Sequence, residues 1–182
     1  MTEFRLEFAA AYDVRDAPSQ PMGESVFDFA APNVATLAPA VEVAVTLHSG
    51  TEWFGRFFGD WGGLNVVVNG PAPDELFVVA GGVGYLVPVE SPTTFRAIDF
   101  EFIRHVGVSS GLRSVFLVGE TAVIALDKNG IIAWEARDLV SDGFTSVTLT
   151  AGSLVVRGFL APEDRAVSVT LNLASGEVVT RD

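Results

Sequence analysis

The feature that most restricts the fold of this chain is an alternation of apolar and polar residues that glycines interrupt at short intervals. Apolar side chains occupy every second position in Val41–Leu47, and Ser49-Gly50 then turns the chain. Such alternation buries one face of a β-strand. No window carries a capped apolar repeat of 3.6 residues. The sequence therefore predicts an all-β chain of antiparallel hairpins, with at most single helical turns near Asp13 and residues 137–139.

Residues 1–75 are predicted to be less regular than the rest. Phe4, Leu6 and Phe8 alternate with charged residues, which is typical of a half-buried strand. Residues 13–39 include four prolines, which cannot donate to a sheet ladder. We therefore expect a loop or irregular arm there, with one short strand. We interpret residues 1–182 as a single all-β domain in which residues 76–182 form repeated hairpins.

Three segments of this repeated part share one layout. They begin at Leu76, Val115 and Val147, and each consists of an apolar strand, a turn of small residues and a second apolar strand. Propeller blades recur at about 40 residues, which is close to this spacing. A hairpin of this kind buries one face only when a neighbour covers it. We therefore expect the hairpins to stack as a partial propeller or as a β-sandwich.

The middle segment reads VFLVGETAVIALDKNGIIAWE, with Gly119, Ala125-Leu126-Asp127, Gly130 and Trp134 in order. It resembles one blade of a quinoprotein-type β-propeller. Residues 169–178 resemble the end of such a blade, except that Asn172 and Ser175 stand where the blade pattern has Asp and Thr. Residues 76–179 also resemble short bacterial proteins of unknown function that contain a few such units. The resemblance implies blade-like hairpins, but it implies no activity and no cofactor.

Composition excludes several classes of function. The net charge of −12 opposes binding to nucleic acids and to anionic membranes, whereas a basic protein is a suitable partner. The absence of cysteine excludes disulfides and thiolate metal sites. The first residues include Glu3, Arg5 and Glu7, unlike a signal peptide. No apolar run is long enough to span a membrane. We therefore expect a cytoplasmic protein.

The residues that could carry chemistry form no recognisable site. His48 and His105 lack a second ligand at metal-binding spacing. Residues 127–130, DKNG, are better explained as a turn than as a calcium loop. Glycines at 59–63 and 81–84 lack the lysine and helix of a phosphate loop. The sequence thus predicts no catalytic residue, metal or cofactor, and favours a protein that is not an enzyme.

The most unusual segment is WFGRFFGDW, residues 53–61. Its aromatic rings either fill the core or form a platform for a partner or a sugar. In the second interpretation, the partner-binding residues are Trp53, Arg56, Phe58, Asp60 and Trp61. Burial of Trp53, Phe57 and Trp61 would exclude the platform.

Three functional hypotheses remain open from the sequence. The first is a non-enzymatic protein-binding module, for example an acidic immunity or inhibitor protein for a basic partner. The second is a carbohydrate-binding module or hydrolase with a cleft near Trp53–Trp61. The third is a structural subunit that forms homo-oligomers through open sheet edges.

Overall fold

The computed structural model describes residues 1–17, 25–32, 34, 38–60, 62–161, 163 and 165–182, and the chain divides into two compact units, Met1–Phe100 and Glu101–Asp182. The predicted all-β fold of mostly antiparallel hairpins is confirmed. The only helical element among the described residues is the three-residue 3-10 helix Pro92–Thr94. Asp13 lies in a strand and residues 137–139 are not helical, so the helical turns predicted there are wrong. Compactness alone does not show independent folding, so the single domain over residues 1–182 stays a prediction.

The first unit consists of two sheets. Its strands are β1 (Glu3–Arg5), β2 (Tyr12–Asp16), β3 (Ser25–Phe29), β4 (Val41–Leu47), β5 (Glu52–Phe57), β6 (Val66–Val68), β7 (Glu75–Ala80), β8 (Val83–Pro88) and β9 (Arg96–Ala97). One sheet has the order β2-β4-β5-β3 and the other the order β1-β6-β7-β8-β9. The pairs β1–β6 and β3–β5 are parallel, and the remaining pairs are antiparallel.

The two sheets of this unit share one apolar core. In β4 the valines at 41, 43 and 45 face it, as the alternation predicts. β7 and β8 are buried almost throughout, which matches their nearly continuous apolar sequences. Gly81 and Gly82 join these two strands, with φ of 54° and 82°. Two consecutive positive φ values define the tight hairpin turn that glycine favours.

The second unit consists of two antiparallel four-stranded sheets. Its strands are β10 (His105–Ser109), β11 (Ser114–Val118), β12 (Val123–Leu126), β13 (Ile132–Ala136), β14 (Phe144–Leu149), β15 (Ser153–Leu160), β16 (Arg165–Asn172) and β17 (Val178–Arg181). In each sheet the strands pair in sequence order, and the two sheets share a core. Over the described residues, none of the four sheets of the chain closes on itself.

Two turns of the second unit have the same construction. A register shift precedes each turn, at Ala125/Leu126 and at Thr170/Leu171. Asp127 Oδ1 accepts hydrogen bonds from the backbone of the second and fourth residues after it, at 2.8 and 2.9 Å. Asn172 Oδ1 accepts two such bonds, at 2.9 and 3.2 Å. Because the acceptor is an oxygen in both cases, Asn172 organises its turn as a carboxylate would.

The tryptophan of the middle repeat joins the two sheets of this unit. Trp134 Nε1 donates to the carbonyl oxygen of Leu173 at 3.0 Å. The indole ring also lies against Gly176, where a Cβ atom would come within 2.5 Å of Trp134 Cε3. Gly176 has a φ of 72°, so both its backbone conformation and its contact with Trp134 require glycine.

No helix in the described ranges is long and apolar enough for a membrane crossing.

Candidate functional site

The segment WFGRFFGDW is built around strand β5, whose alternation divides its side chains between two faces. Trp53 and Phe57 point into the core and are 3% and 0% exposed. Trp53 Nε1 donates to the carbonyl oxygen of Val89 at 2.9 Å, which satisfies the one polar group of the buried indole. The two rings therefore act in the core and cannot contact a partner at the surface.

The inward rings of β5 belong to a cluster with the parallel strand β3. Phe29 stacks on Phe57, with ring centroids 4.4 Å apart and planes 14° from parallel. Phe27 meets Trp53 edge to face at 5.9 Å. Gly55 leaves space for these rings, because a Cβ atom there would lie 2.8 to 3.0 Å from three of them. Such arrangements are favourable aromatic contacts.

Arg56 lies on the outward face of β5 and is held by β3. Its Nε and Nη2 donate to the two carboxylate oxygens of Asp28 at 2.6 and 2.8 Å. These hydrogen bonds raise the pKa of Arg56 above its usual value, and the charges of Asp28 and Glu42 act in the same direction. Arg56 and Asp28 are about half exposed, so solvent screens the pair.

The structure separates the five residues predicted to bind a partner. Trp53 and Phe58 are buried, at 3% and 6% exposure, whereas Arg56 and Asp60 are exposed. Trp61 lies outside the described residues. Of the proposed aromatic platform, the described rings are therefore core residues, and the polar residues remain available at the surface.

After β5 the chain passes directly against the hairpin turn of β7 and β8. A Cβ atom on Gly59 would lie 1.7 Å from the carbonyl oxygen of Ala80, and one on Gly63 would lie 2.4 Å from the carbonyl carbon of Gly81. Asp60 N donates to Gly81 O at 3.1 Å. The two glycine-rich segments thus pack backbone to backbone, which is the physical reason for their composition.

This crossing borders a cleft of about 230 Å³. Asp60 and Asn65 supply its polar side chains, and Asn65 is fixed because its Oδ1 accepts from Gly81 N at 2.7 Å. Most of the surface that lines the cleft is apolar. Among the described residues, the rest of the lining consists of Ala38, Pro39, Ala40, Gly59 and Gly62. We call this feature the Asp60 cleft.

A second cleft of about 230 Å³ lies where the segments before β2 and after β4 and β6 meet. Its lining includes Tyr12, Asp13, His48 and Asn69. Asn69 is buried and pairs with both backbone groups of Phe8: Oδ1 accepts from the amide at 3.1 Å and Nδ2 donates to the carbonyl. The sequence Asn69-Gly70-Pro71 is typical of a turn, and nothing in it distinguishes Asn69 as an anchor.

Both tyrosines of the chain are buried and hydrogen-bonded. Burial raises the pKa of Tyr12 far above its usual value; a hydrogen bond with the Gly70 backbone opposes this, and the charges of Glu75 and Asp74 add to it. Burial also raises the pKa of Tyr85, although a hydrogen bond with the Ala31 backbone opposes it. These hydroxyls serve the core and are held in their neutral form.

The histidines and the predicted turn at Asp127 lie apart from the clefts described above, except that His48 lines the second one. No group of three or more His, Asp or Glu side chains within them could hold a metal ion. His48 follows β4 and His105 begins β10, and both are exposed. The carboxylate of Asp127 binds backbone amides of its own turn. The Asp60 cleft, by contrast, has an exposed acidic residue in its lining.

Comparison with known proteins adds little to this picture. No protein family model matches the chain, and no curated protein matches it in sequence. The chain is similar to a structure of S. cerevisiae Dbp5 bound to Nup159, Gle1, IP6 and ADP, at 13% identity and a TM-score of 0.47, and to the N-terminal domain of Nup159, at 14% and 0.46. All of this chain is covered, but only 52% and 53% of the other chains, so it spans about half their length. At such low scores and identities, the likeness carries no argument about fold or function.

Proposed function

We propose that this chain is a non-enzymatic module that binds a basic protein, acting for example as a cytoplasmic inhibitor or immunity protein. The observation that carries the proposal is the uneven charge of the two units. Met1–Phe100 has thirteen acidic and four basic side chains, whereas Glu101–Asp182 has ten and seven. A surface of this sign accelerates encounter with a positively charged protein and disfavours acidic ones.

The arginines of the first unit do little to neutralise this surplus. Three of them already form ion pairs within the unit: Arg5 with Glu3, Arg15 with Glu52 and Arg56 with Asp28. The charge of each of these three arginines is balanced by a neighbouring carboxylate. A basic partner would therefore meet the carboxylates that have no such pair.

One end of the sheet β2-β4-β5-β3 gathers such carboxylates. Asp16 ends β2, Glu42 lies opposite Arg56 in the ladder, and Asp60 follows β5. Within the described ranges, none of these three acidic side chains forms an ion pair. We call Asp16, Glu42, Asp60 and the adjoining cleft the acidic end, and this is the surface we propose for the partner.

The test is affinity capture from native lysate followed by measured binding of the captured protein at several salt concentrations. The partner should be basic, and its affinity should fall as salt screens the charges. The double variant Asp16→Asn/Glu42→Gln should bind about fivefold more weakly, because two exposed charge pairs at about 0.5 kcal/mol each give about 1 kcal/mol. Carbodiimide cross-links should join carboxylates of the first unit to lysines of the partner.

The matched control removes the same charge from the other unit. Asp138 and Asp142 are exposed, and Asp138→Asn/Asp142→Asn should leave the affinity within about twofold. Equal weakening by both double variants would show that only net charge matters. Capture of no basic protein, or of one whose affinity is insensitive to salt, would refute the proposed function.

A further inference from the structure

The Asp60 cleft has the features of a site for one cationic side chain. At about 230 Å³ it is smaller than the roughly 300–1,000 Å³ of pockets that hold drug-sized ligands. Its walls are mostly apolar and include Ala38, Pro39 and Ala40, while Asp60 brings a negative charge to the lining. An arginine side chain combines an apolar stem with a charged, hydrogen-bonding head, so its chemistry matches both parts of the cleft.

Backbone contacts fix one side of this cleft before any partner arrives. Gly59 cannot carry a side chain, because a Cβ atom would overlap the carbonyl of Ala80. Gly62, with a φ of 81°, also lines the cleft and adds no side chain. Asn65 is fixed by its bond to Gly81. A preformed cleft binds without the entropic loss of ordering its own walls.

Charge favours a cation as the occupant. Asp60 is exposed and forms no ion pair within the described residues. Asp16 and Glu42 lie at the same end of the sheet, and Arg56, which is opposite Glu42 in the ladder, is already paired with Asp28. An arginine that enters the cleft would gain a charge-assisted hydrogen-bond acceptor without displacing a basic residue of this chain.

We infer that the Asp60 cleft receives an arginine side chain of the basic partner, with the aliphatic stem between the apolar walls and the guanidinium at the Asp60 carboxylate. This inference rests on the proposed function and assigns its central contact. It makes Asp60 the residue that fixes the position of the partner, while Asp16 and Glu42 contribute longer-range attraction.

The experiment titrates the full chain with N-acetyl-arginine methylamide and follows backbone amide shifts by NMR. Shifts should concentrate at Gly59, Gly62, Gly63 and Asn65. N-acetyl-norleucine methylamide, which has an apolar side chain and no charge, should bind more weakly. Asp60→Asn should weaken the arginine probe about twofold, as loss of one exposed ion pair of about 0.5 kcal/mol predicts, with an unchanged urea midpoint. Asp74→Asn, which removes an exposed acid elsewhere in the same unit, should have no effect.

The outcomes separate this inference from the proposed function. If a basic partner binds with salt dependence but the arginine probe gives shifts scattered over the acidic surface, the cleft assignment is wrong and the proposed function stands. Equal weakening by Asp60→Asn and Asp74→Asn would also overturn the assignment. If the probe binds at the cleft but no basic partner exists, the proposed function fails on its own test.

Discussion

Replacement of Tyr85 by phenylalanine tests how the two sheets of the first unit are joined. The Tyr85 hydroxyl donates to the carbonyl oxygen of Phe58 at 2.6 Å and accepts from the amide of Ala31 at 3.1 Å. It therefore connects β8 to the residues that follow β5 and β3. Tyr85→Phe removes only the oxygen, because the ring keeps its contacts with Phe57 and Phe95, at 5.6 and 6.2 Å between centroids.

The expected loss follows from what the substitution leaves behind. The Phe58 carbonyl lies in a buried environment, and a buried acceptor without a partner costs about 1–3 kcal/mol. The bond from Ala31 is only partly buried, so water can replace it and its loss adds about 0.5 kcal/mol. We therefore expect Tyr85→Phe to lower the free energy of unfolding by about 1.5–3.5 kcal/mol.

Tyr12→Phe is the matched comparison. The Tyr12 hydroxyl donates to Glu75 O at 2.7 Å in a partly buried environment and also has a hydrogen bond with the Gly70 backbone. At about 0.5 kcal/mol for each bond, its removal should cost only about 1 kcal/mol. Urea unfolding followed by tryptophan fluorescence measures both losses. Hydrogen exchange should also show faster exchange of the Ala31 amide in Tyr85→Phe alone. A smaller loss for Tyr85→Phe than for Tyr12→Phe, or unchanged exchange of Ala31, would refute the reasoning.

Two further predictions use the same unfolding measurements. The pKa values of Tyr12 and Tyr85 are raised in the folded protein. Their contribution to the free energy of unfolding is therefore complete below the tyrosine pKa of the unfolded chain, about 10. It is lost as pH rises beyond that value, by about 1.4 kcal/mol per pH unit for each tyrosine. Tyrosinate absorbance should appear only together with unfolding, and its appearance near pH 10 in the folded protein would contradict this. Gly59→Ala should lower the free energy of unfolding by about 3 kcal/mol or more, since its methyl group meets the Ala80 carbonyl. Gly107→Ala, whose Cβ would have ordinary contacts of 3.5 Å or more, should change the free energy of unfolding by less than about 1 kcal/mol. Equal losses for Gly59→Ala and Gly107→Ala would show that residues 59–63 do not pack tightly against the hairpin turn at Gly81.

Local alternation predicted most of the strands, because successive side chains of a half-buried strand point alternately to the core and to solvent. Strand β4 matches the predicted Val41–Leu47, and β7 begins one residue before the predicted start at Leu76. Strand β2 was missed. Tyr12 and Val14 face the core while Asp13 and Arg15 point outward, but this short alternation precedes a proline-rich segment that outweighed it. Only β3, with Phe29 in the core, corresponds to the one short strand expected there.

The segment Phe95–Val106 shows where local patterns mislead, because Ile98, Phe100 and Phe102 alternate as in an extended strand. The structure has only the two-residue strand β9 there, and β10 begins at His105. The boundary between the compact units falls between Phe100 and Glu101. The Glu101 carboxylate then accepts backbone amides of Thr121 and Ala122 at 2.7 and 2.8 Å. Such a contact depends on chain segments 20 residues apart, so alternation around Phe100 could not reveal it.

The candidate site was predictable in its charges and not in its geometry. Alternation from Trp53 places Arg56 on the outward face, and the structure agrees. Phe58 lies beyond the strand, where alternation no longer applies, and the Tyr85 hydroxyl holds its carbonyl inside the unit. The cleft at Asp60 forms because residues 59–63 cross the hairpin turn at Gly81. That crossing joins two distant segments, and neither sequence alone specifies it.

The two described tryptophans explain why an aromatic-rich segment here does not mark a binding surface. In the first unit Trp53 donates its indole N–H to Val89 O, and in the second Trp134 donates to Leu173 O. In each case the donor lies in one sheet and the acceptor follows a strand of the other sheet, 36 and 39 residues further along the chain. An indole is long enough to cross the core between two sheets, and once inside it must find an acceptor for its N–H. Both tryptophans therefore join sheets, and the proposed function assigns recognition instead to charged residues at strand ends.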